Sequence, residues 1–495
     1  MAHEKRRVPL RHTILSIAAL LSCGMLLPQC DPGGLKAQDF VKVSQNGFDP
    51  VDHDEDINSY AWAMRYFKAD GAKDGHVYVG SGNNIAGLIG FYFTELIEGG
   101  EIDLDEAPAR PPEIRRHRPD LGTDVWETVF DYRDVETDGK YKTTGFRYMG
   151  TYRAVDDANK GQRAKYLYTA TQGLESVLWR SKTGDPGDWQ QVFSTGENGA
   201  SIRYFAEHNG KMYLAYAYDT YEADPPPGEI WVSDDGLNFE PLMQDGFGNP
   251  NNRGIEFLVS YNDWLYTGTK NDKDGYEIWK LEGPDKGAGA IKLIDGGATD
   301  PRNEIAGTPC LFKGQLYIGS IIFFGFNPTQ ANGFKGCDII RIDENDDWET
   351  VVGPNSISGY DSGFNFFMNA YCWWMEEHDG WLYAGTWDQG TVLSWFLDDL
   401  PMLIAFIQTG EVPDDVEDLP LEYEQWYKLT QAGADIFKTQ DGVHWFPVTI
   451  DGMGNRSNYG WRTMESTPDG YLYLGSANPS DGLEIWRGMS EETEQ

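Results

Sequence analysis

The chain has 495 residues and carries 79 Asp and Glu against 40 Lys and Arg, a formal charge of −39. So acidic a chain lacks the basic face that phosphate neutralisation needs, which excludes a nucleic-acid binder of the usual kind. A 40% hydrophobic content excludes a multi-span membrane protein, and 14% aromatics with 57 glycines point to a turn-rich, strand-rich globular chain.

In chain order, Arg6, Arg7 and Arg11 precede an apolar run over 14–21 and then Ser22-Cys23. A basic start, a short apolar stretch and a small residue before cysteine predict a secretory signal over 1–22. Leu20-Leu21-Ser22-Cys23 resembles a lipobox, which implies a lipidated Cys23, a linker over 23–38 and a body tethered to a membrane outside the cytoplasm, at the cell surface or in a periplasm. Cys30 as the lipid site, or an uncleaved anchor running to Leu27, are the alternatives. The Arg6-Arg7 pair with Leu10 loosely resembles a twin-arginine signal. Cys310, Cys337 and Cys372 match no zinc spacing; one bridge among them or buried free thiols are both open.

From residue 39 onward one phrase recurs: Leu or Val, Tyr, a small pair, then Ser or Thr. It reads Val77-Tyr78-Val79-Gly80-Ser81, Leu167-Tyr168, Tyr213-Leu214, Leu265-Tyr266-Thr267-Gly268-Thr269, Leu316-Tyr317, Leu382-Tyr383 and Leu472-Tyr473-Leu474-Gly475-Ser476. Alternation over five or six positions between Gly and Asp turns predicts a strand. A strand before each phrase (Ala61-Trp62-Ala63-Met64, Gly145-Phe146-Arg147 and their equivalents) and two after it (Glu229-Ile230-Trp231 then Phe239 to Leu242, for example) complete a four-stranded unit. A recurrence near 50 residues is the arithmetic of propeller blades. The reading is an all-β chain: a single seven-bladed β-propeller over 39–489 with a short tail over 490–495. The strand Phe40-Val41-Lys42 supplies the piece missing from the last unit and closes the ring, removing an open edge.

The turns Ser233-Asp234-Asp235-Gly236 and Thr439-Gln440-Asp441-Gly442 resemble a shortened Asp box of sialidase-type (BNR) propellers, and the Leu-Tyr strand resembles that of kelch-like propellers. The resemblance implies a fold and not an activity. It also implies that Ser233, Asp235, Thr439 and Asp441 brace hairpins.

The strand preceding each Leu-Tyr phrase lines the channel. The position after its apolar residue reads Ala63, Arg147, Arg203, Glu256, Pro309, Trp374 and Arg462. Arg147, Arg203 and Arg462 could converge on a carboxylate, sulfate or phosphate, or pair with Glu256 and neighbouring acids. The adjoining loops are rich in Asn and Asp (Asn83, Asn84, Asp219, Asn251, Asn252, Asn271, Asp272, Asn478, Asp481), with Tyr60, Trp62, Tyr371, Trp373, Tyr459 and Trp461 on the same rim. Exposed rings beside such groups suit sugars; turn-making Asn and gap-filling Trp are the plainer reading. The oxygen-rich loops could hold a structural Ca²⁺, but no EF-hand or nonapeptide spacing is present, and no metal ligand or other cofactor is indicated.

Two insertions are expected. One, over about 97–123 and containing Arg115, Arg116 and Arg118, is placed on the face opposite the loops. The other, over about 387–433, is placed on the loop face, with helical patterns over 392–407 and 422–429. No nucleophile elbow, His-Glu-x-x-His or phosphate loop occurs. The expectation is an exported, lipid-tethered, monomeric propeller holding a saccharide or a protein partner without catalysis. Two alternatives stand. One is a glycosidase or lyase for acidic sugars, with the arginines gripping a carboxylate and Glu256 and Tyr459 as candidates for chemistry. The other is a cell-surface assembly protein docking through 392–407.

Overall fold

Each Leu-Tyr phrase forms the second of four antiparallel strands in its blade, and its small residues have a packing cause. In the computed structural model, which describes residues 33–48, 57–83, 110–136, 143–156, 161–173, 175–196, 199–218, 225–282, 289–322, 335–391 and 433–489, a Cβ at Gly80 would collide with Phe146 of the next blade. One at Gly319 would strike Cys372, and one at Gly385 would strike Trp461. Blades pack face to face through these positions, so only Gly fits at them. The Ser or Thr that follows caps the next strand: Thr269 Oγ1 accepts from Glu277 N at 2.9 Å and Ser476 Oγ from Glu484 N at 2.8 Å. The tyrosine reaches the neighbouring blade. The Tyr168 hydroxyl donates to Gly236 O at 3.0 Å, and that of Tyr266 donates to Asp346 Oδ1 at 2.5 Å.

The chain divides into two units, residues 1–34 and 35–495. Of the first, Gly33 and Gly34 alone are described, so the expected lipid site at Cys23 or Cys30 lies outside the described residues. Among the described residues no helix is long and apolar enough to cross a membrane.

Among the described residues the second unit holds 28 strands in one antiparallel sheet. The innermost strands are Asn58–Phe67, Thr143–Val155, Ala200–His208, Gly254–Tyr261, Ile305–Phe312, Asn369–His378 and Gly460–Ser466. Each is followed outward by three more, giving seven four-stranded blades. The seventh is completed by Phe40–Lys42, which pairs with Ile485–Met489 in the register Val41↔Arg487 and Lys42↔Trp486. The ring is therefore closed by the N-terminal strand, as the repeat arithmetic requires. Single bridges such as Gly82↔Gly145, Trp387↔Gly460 and Tyr60↔Ala477 join the second strand of one blade to the first of the next.

Two expectations need correction. The third strand of blade one is Glu113–His117, inside the span expected to be an irregular insertion. Its single apolar residue, Ile114, is fully buried, while charged neighbours hide the strand signal: Arg115 pairs with Glu113, and Arg116 with Glu127 and Asp185. The insertion therefore ends before residue 113. Because it connects the second strand to the third, it leaves from the same face as the loops that precede the innermost strands. The second insertion begins after the strand Trp381–Asp388, and its helical patterns over 392–407 and 422–429 lie outside the described residues. Cys310, Cys337 and Cys372 are buried free thiols.

Candidate channel site

All seven innermost strands carry a register shift near the loop face. Antiparallel pairing skips Trp62, Arg147, Arg203, Glu256, Trp373 and Arg462, and in blade five Gly307 and Thr308. A bulge of this kind inserts one unpaired residue and re-aims its side chain. The sequence alignment placed Ala63, Pro309 and Trp374 in this series; the register replaces them with Trp62, Thr308 and Trp373.

The re-aimed side chains meet across blade boundaries. The Arg147 guanidinium lies 5.1 Å from the Trp62 ring centroid, and that of Arg462 lies 5.3 Å from Trp373 and 6.0 Å from Trp374. Each such cation–π contact is worth roughly 0.5–2 kcal/mol, more where water is excluded. Arg203 Nε stands 3.7 Å from Glu256 Oε2, both side chains 9% exposed. Thr308 Oγ1 donates to Trp373 O at 3.2 Å. Glycines admit the indoles: a methyl at Gly82 or Gly145 would clash with Trp62, and one at Gly460 with Trp373.

The structure thus gathers the three arginines into one ring with a single glutamate. The electrostatics agree: burial, then the charges of Arg147 and Arg203, hold the Arg462 guanidinium well below the usual arginine range. Burial pushes the Tyr60 phenol far above its ordinary value, while Arg462 and Arg147 pull the other way.

The rim aromatics are buried rather than exposed, which corrects the expectation. Tyr60 sits edge-on to Trp62 at 5.9 Å and to Trp373 at 5.8 Å, and Tyr459 is fully buried against Tyr60 and Trp387. Such edge-to-face geometry suits the ring quadrupoles, and the set forms the wall behind the arginines. Trp461 lies apart: it is fully buried between blades six and seven, and its Nε1 donates to Ala434 O at 3.0 Å, so it serves packing.

The loop Asn residues are engaged in bracing. Asn252 Nδ2 donates to Gly246 O and to Glu277 Oε2, and Asn271 Nδ2 donates to Asn252 Oδ1. Asn58, Asn303, Asn369 and Asn458 make the same pair of bonds to a loop glycine and to Glu113, Asp338, Asp435 and Glu484. These acids open the third strands and are scaffold, because a buried carboxylate needs donors. In the Asp-box-like turns, Asp235 Oδ1 accepts from Leu237 N and Asn238 N, and Asp441 Oδ1 from Val443 N and His444 N, all at 2.8 Å. Asn84 and Asp219 lie outside the described residues.

A second charged cluster lies deeper, three residues past the bulge in blades one, six and seven: half-buried Arg65 and Glu376 and buried Glu465. Arg65 Nη1 is 3.4 Å from Glu465 Oε2, Tyr66 N donates to Glu465 Oε1 at 2.8 Å, and Ser466 N donates to Glu376 Oε1 at 3.2 Å. Burial first, then the Glu465 charge, raises the Glu376 carboxyl above its usual range. Beside it the rings of Tyr148 and Tyr204 meet at 4.0 Å between centroids, tilted by 32°. Sequence reasoning missed this layer, because the unpaired residue of the bulge shifts the period-2 alternation by one.

No family model and no curated protein matches the chain. Among solved structures it is similar to a prolyl endopeptidase at 9% identity and TM-score 0.39, covering 87% of this chain and 50% of that one, so the chain spans about half the enzyme's length. It is also similar to a Penicillium chrysogenum α-L-arabinanase complexed with arabinobiose, at 14% identity and TM-score 0.38 over 72% of this chain and 94% of that one. A third is a Clostridium thermocellum α-L-arabinofuranosidase, at 12% identity and TM-score 0.28 over 56% and 81%. Likeness at this level carries no activity to the present chain.

Proposed function

We propose that this chain is an exported, membrane-tethered propeller that binds an anionic ligand, on a saccharide or a protein partner, at the bulge ring of its channel. One observation carries the reading: Arg147 and Arg203 crowd the buried Arg462 with like charge at the bulge ring, where Glu256 faces Arg203. A guanidinium fork suits carboxylate or sulfate. The tether rests on the leader and Cys23, which acid-stable fatty-acid labelling of wild type and Cys23→Ser would test.

A glycan array of acidic and neutral saccharides tests the site. Binding restricted to acidic glycans and lost in Arg203→Ala supports it; binding that ignores the substitution, or that favours neutral glycans, overturns it. A second reading, a carbohydrate-active enzyme acting on acidic sugars, is favoured by the placement of Tyr60 between Arg147 and Arg462. A phenol kept protonated by burial can donate a hydrogen bond to negative charge developing on the substrate. Turnover of a bound acidic glycan, lost in Tyr60→Phe with binding retained, would establish it.

A further inference from the structure

The ring also holds buried polar atoms that meet no partner among the described residues. Glu256 Oε2 faces Arg203, but its other oxygen, Oε1, is buried and accepts no hydrogen bond among the described residues. Arg462 is 6% exposed and Trp62 7% exposed, and neither Arg462 Nε nor Trp62 Nε1 donates to anything among the described residues. Buried polar atoms are almost always paired, and an unmet one costs free energy that a ligand group can restore. Two unmet donors and one unmet acceptor thus sit in the same ring: Arg147, Arg203 and Glu256 all act electrostatically on Arg462, and Arg147 lies over Trp62.

A bare oxyanion satisfies half of this pattern. Sulfate accepts from Arg462 and Trp62, but it has no O–H to give Glu256, and its charge faces that carboxylate. A ligand bearing a carboxylate and a neighbouring hydroxyl meets both demands: its carboxylate accepts from the arginine and indole N–H groups, and its hydroxyl donates to Glu256 Oε1. A neutral sugar meets the hydroxyl demand and brings no charge to the buried Arg462 guanidinium. We infer that the ring selects a hydroxy acid of the uronic type over sulfate and over neutral sugars, and that Glu256 is the residue that sets this choice. The inference rests on the reading of the ring as an anion site, and it assigns Glu256 a positioning and specificity role in place of acid–base chemistry.

Calorimetric titration of the full chain with galacturonate, galactose and sulfate tests it. The expected order in wild type is galacturonate ahead of both others by about tenfold or more, the effect of one hydrogen bond to a charged group. In Glu256→Gln the margin of galacturonate over sulfate narrows by about tenfold. If sulfate binds wild type as tightly as galacturonate, and Arg462→Gln abolishes both, the anion site stands and the hydroxyl selection is overturned. If galactose matches galacturonate, or neither anion binds, the anion reading fails with it. The wild-type comparison decides the matter even if a variant misfolds.

Discussion

Arg462 is buried among like charges in the channel. Burial strips its water, and Arg147 and Arg203 add like charge against the partial relief of Tyr60 and Glu256. A buried charge without full compensation destabilises a fold, so removing it gains stability. In the absence of ligand, Arg462→Gln is expected to raise the unfolding free energy by on the order of 1–3 kcal/mol, read from denaturant midpoints at unchanged slope. A loss of stability would mean that Arg462 is a structural strut. The bracing asparagines behave oppositely. Asn458→Ala strips a donor from the buried Glu484 carboxylate and from Gly452 O and should cost about 1–3 kcal/mol, the usual penalty for orphaning a buried polar group. Calorimetric unfolding checks it, and a change within error would show that the bond is dispensable. The acids of these pairs were legible as scaffold because they recur in most blades. Their partners were missed, although a six-residue Gly-to-Asn spacing (Gly246–Asn252, Gly297–Asn303, Gly363–Asn369, Gly452–Asn458) stands in the sequence.

At the scale of the strand, the bulge decides what the channel contains. One extra unpaired residue shifts every later side chain to the other face, which is why simple alignment on apolar residues chose Ala63 and Trp374 over Trp62 and Trp373. Where the bulged residue is charged, at Arg147, Arg203, Glu256 and Arg462, its charge marks it in the sequence. Where it was aromatic, nothing in the local pattern separated a channel residue from a core one. Blade one's third strand was hidden for a related reason: four of its five residues are charged or histidine, and only Ile114 faces the core. The glycines beside the indoles make the bulge testable. Gly145→Ala puts a methyl into the Trp62 ring and should displace the Trp62–Arg147 pair. It is expected to weaken binding of an acidic ligand at least about tenfold, the loss of roughly one charge-assisted contact, while the assembled fold persists by circular dichroism. Unchanged affinity would remove Trp62 from the site.

For the molecule as a whole, closure rests on three residues of the N-terminal strand and on the seam where the last blade meets the first. Phe40 is 5% exposed in the blade-seven core, and Leu35 N donates to Tyr383 Oη of blade six. Deleting residues 1–43 should therefore leave an open edge and produce either a large drop in melting temperature or self-association. A truncated chain as stable and monomeric as wild type would refute ring closure by this strand. At the seam, the Tyr473 hydroxyl donates to His117 Nδ1 at 3.0 Å and His117 Nε2 donates to Thr123 O at 2.9 Å. Burial holds the imidazole neutral and lowers its pKa to about 4. The folded value lies below the unfolded 6.5, so this contribution is complete above pH 6.5 and is lost as pH falls toward 4. Asp435 runs the other way, since burial raises its pKa to about 7; its contribution is complete below pH 4 and is lost as pH rises through 7. Melting temperature against pH should accordingly lose part of its acid limb in His117→Gln and part of its neutral limb in Asp435→Asn. Identical profiles for wild type and both variants would contradict these assignments.

Ring architecture was readable because seven repeats each repeat the same demands. The ligand is harder to read because the site is made of the departures from that repeat, one residue per blade and far apart in sequence. The account stands most directly on the melting temperature of wild type and Arg462→Gln, each with and without saturating galacturonate. A ligand that binds the folded chain alone raises its stability by RT ln(1 + [L]/Kd), so wild type is predicted to gain several degrees while the variant, more stable at the outset, gains none. Equal shifts in the two proteins, or an equal shift with galactose in wild type, would show that the channel arginines do not form the site.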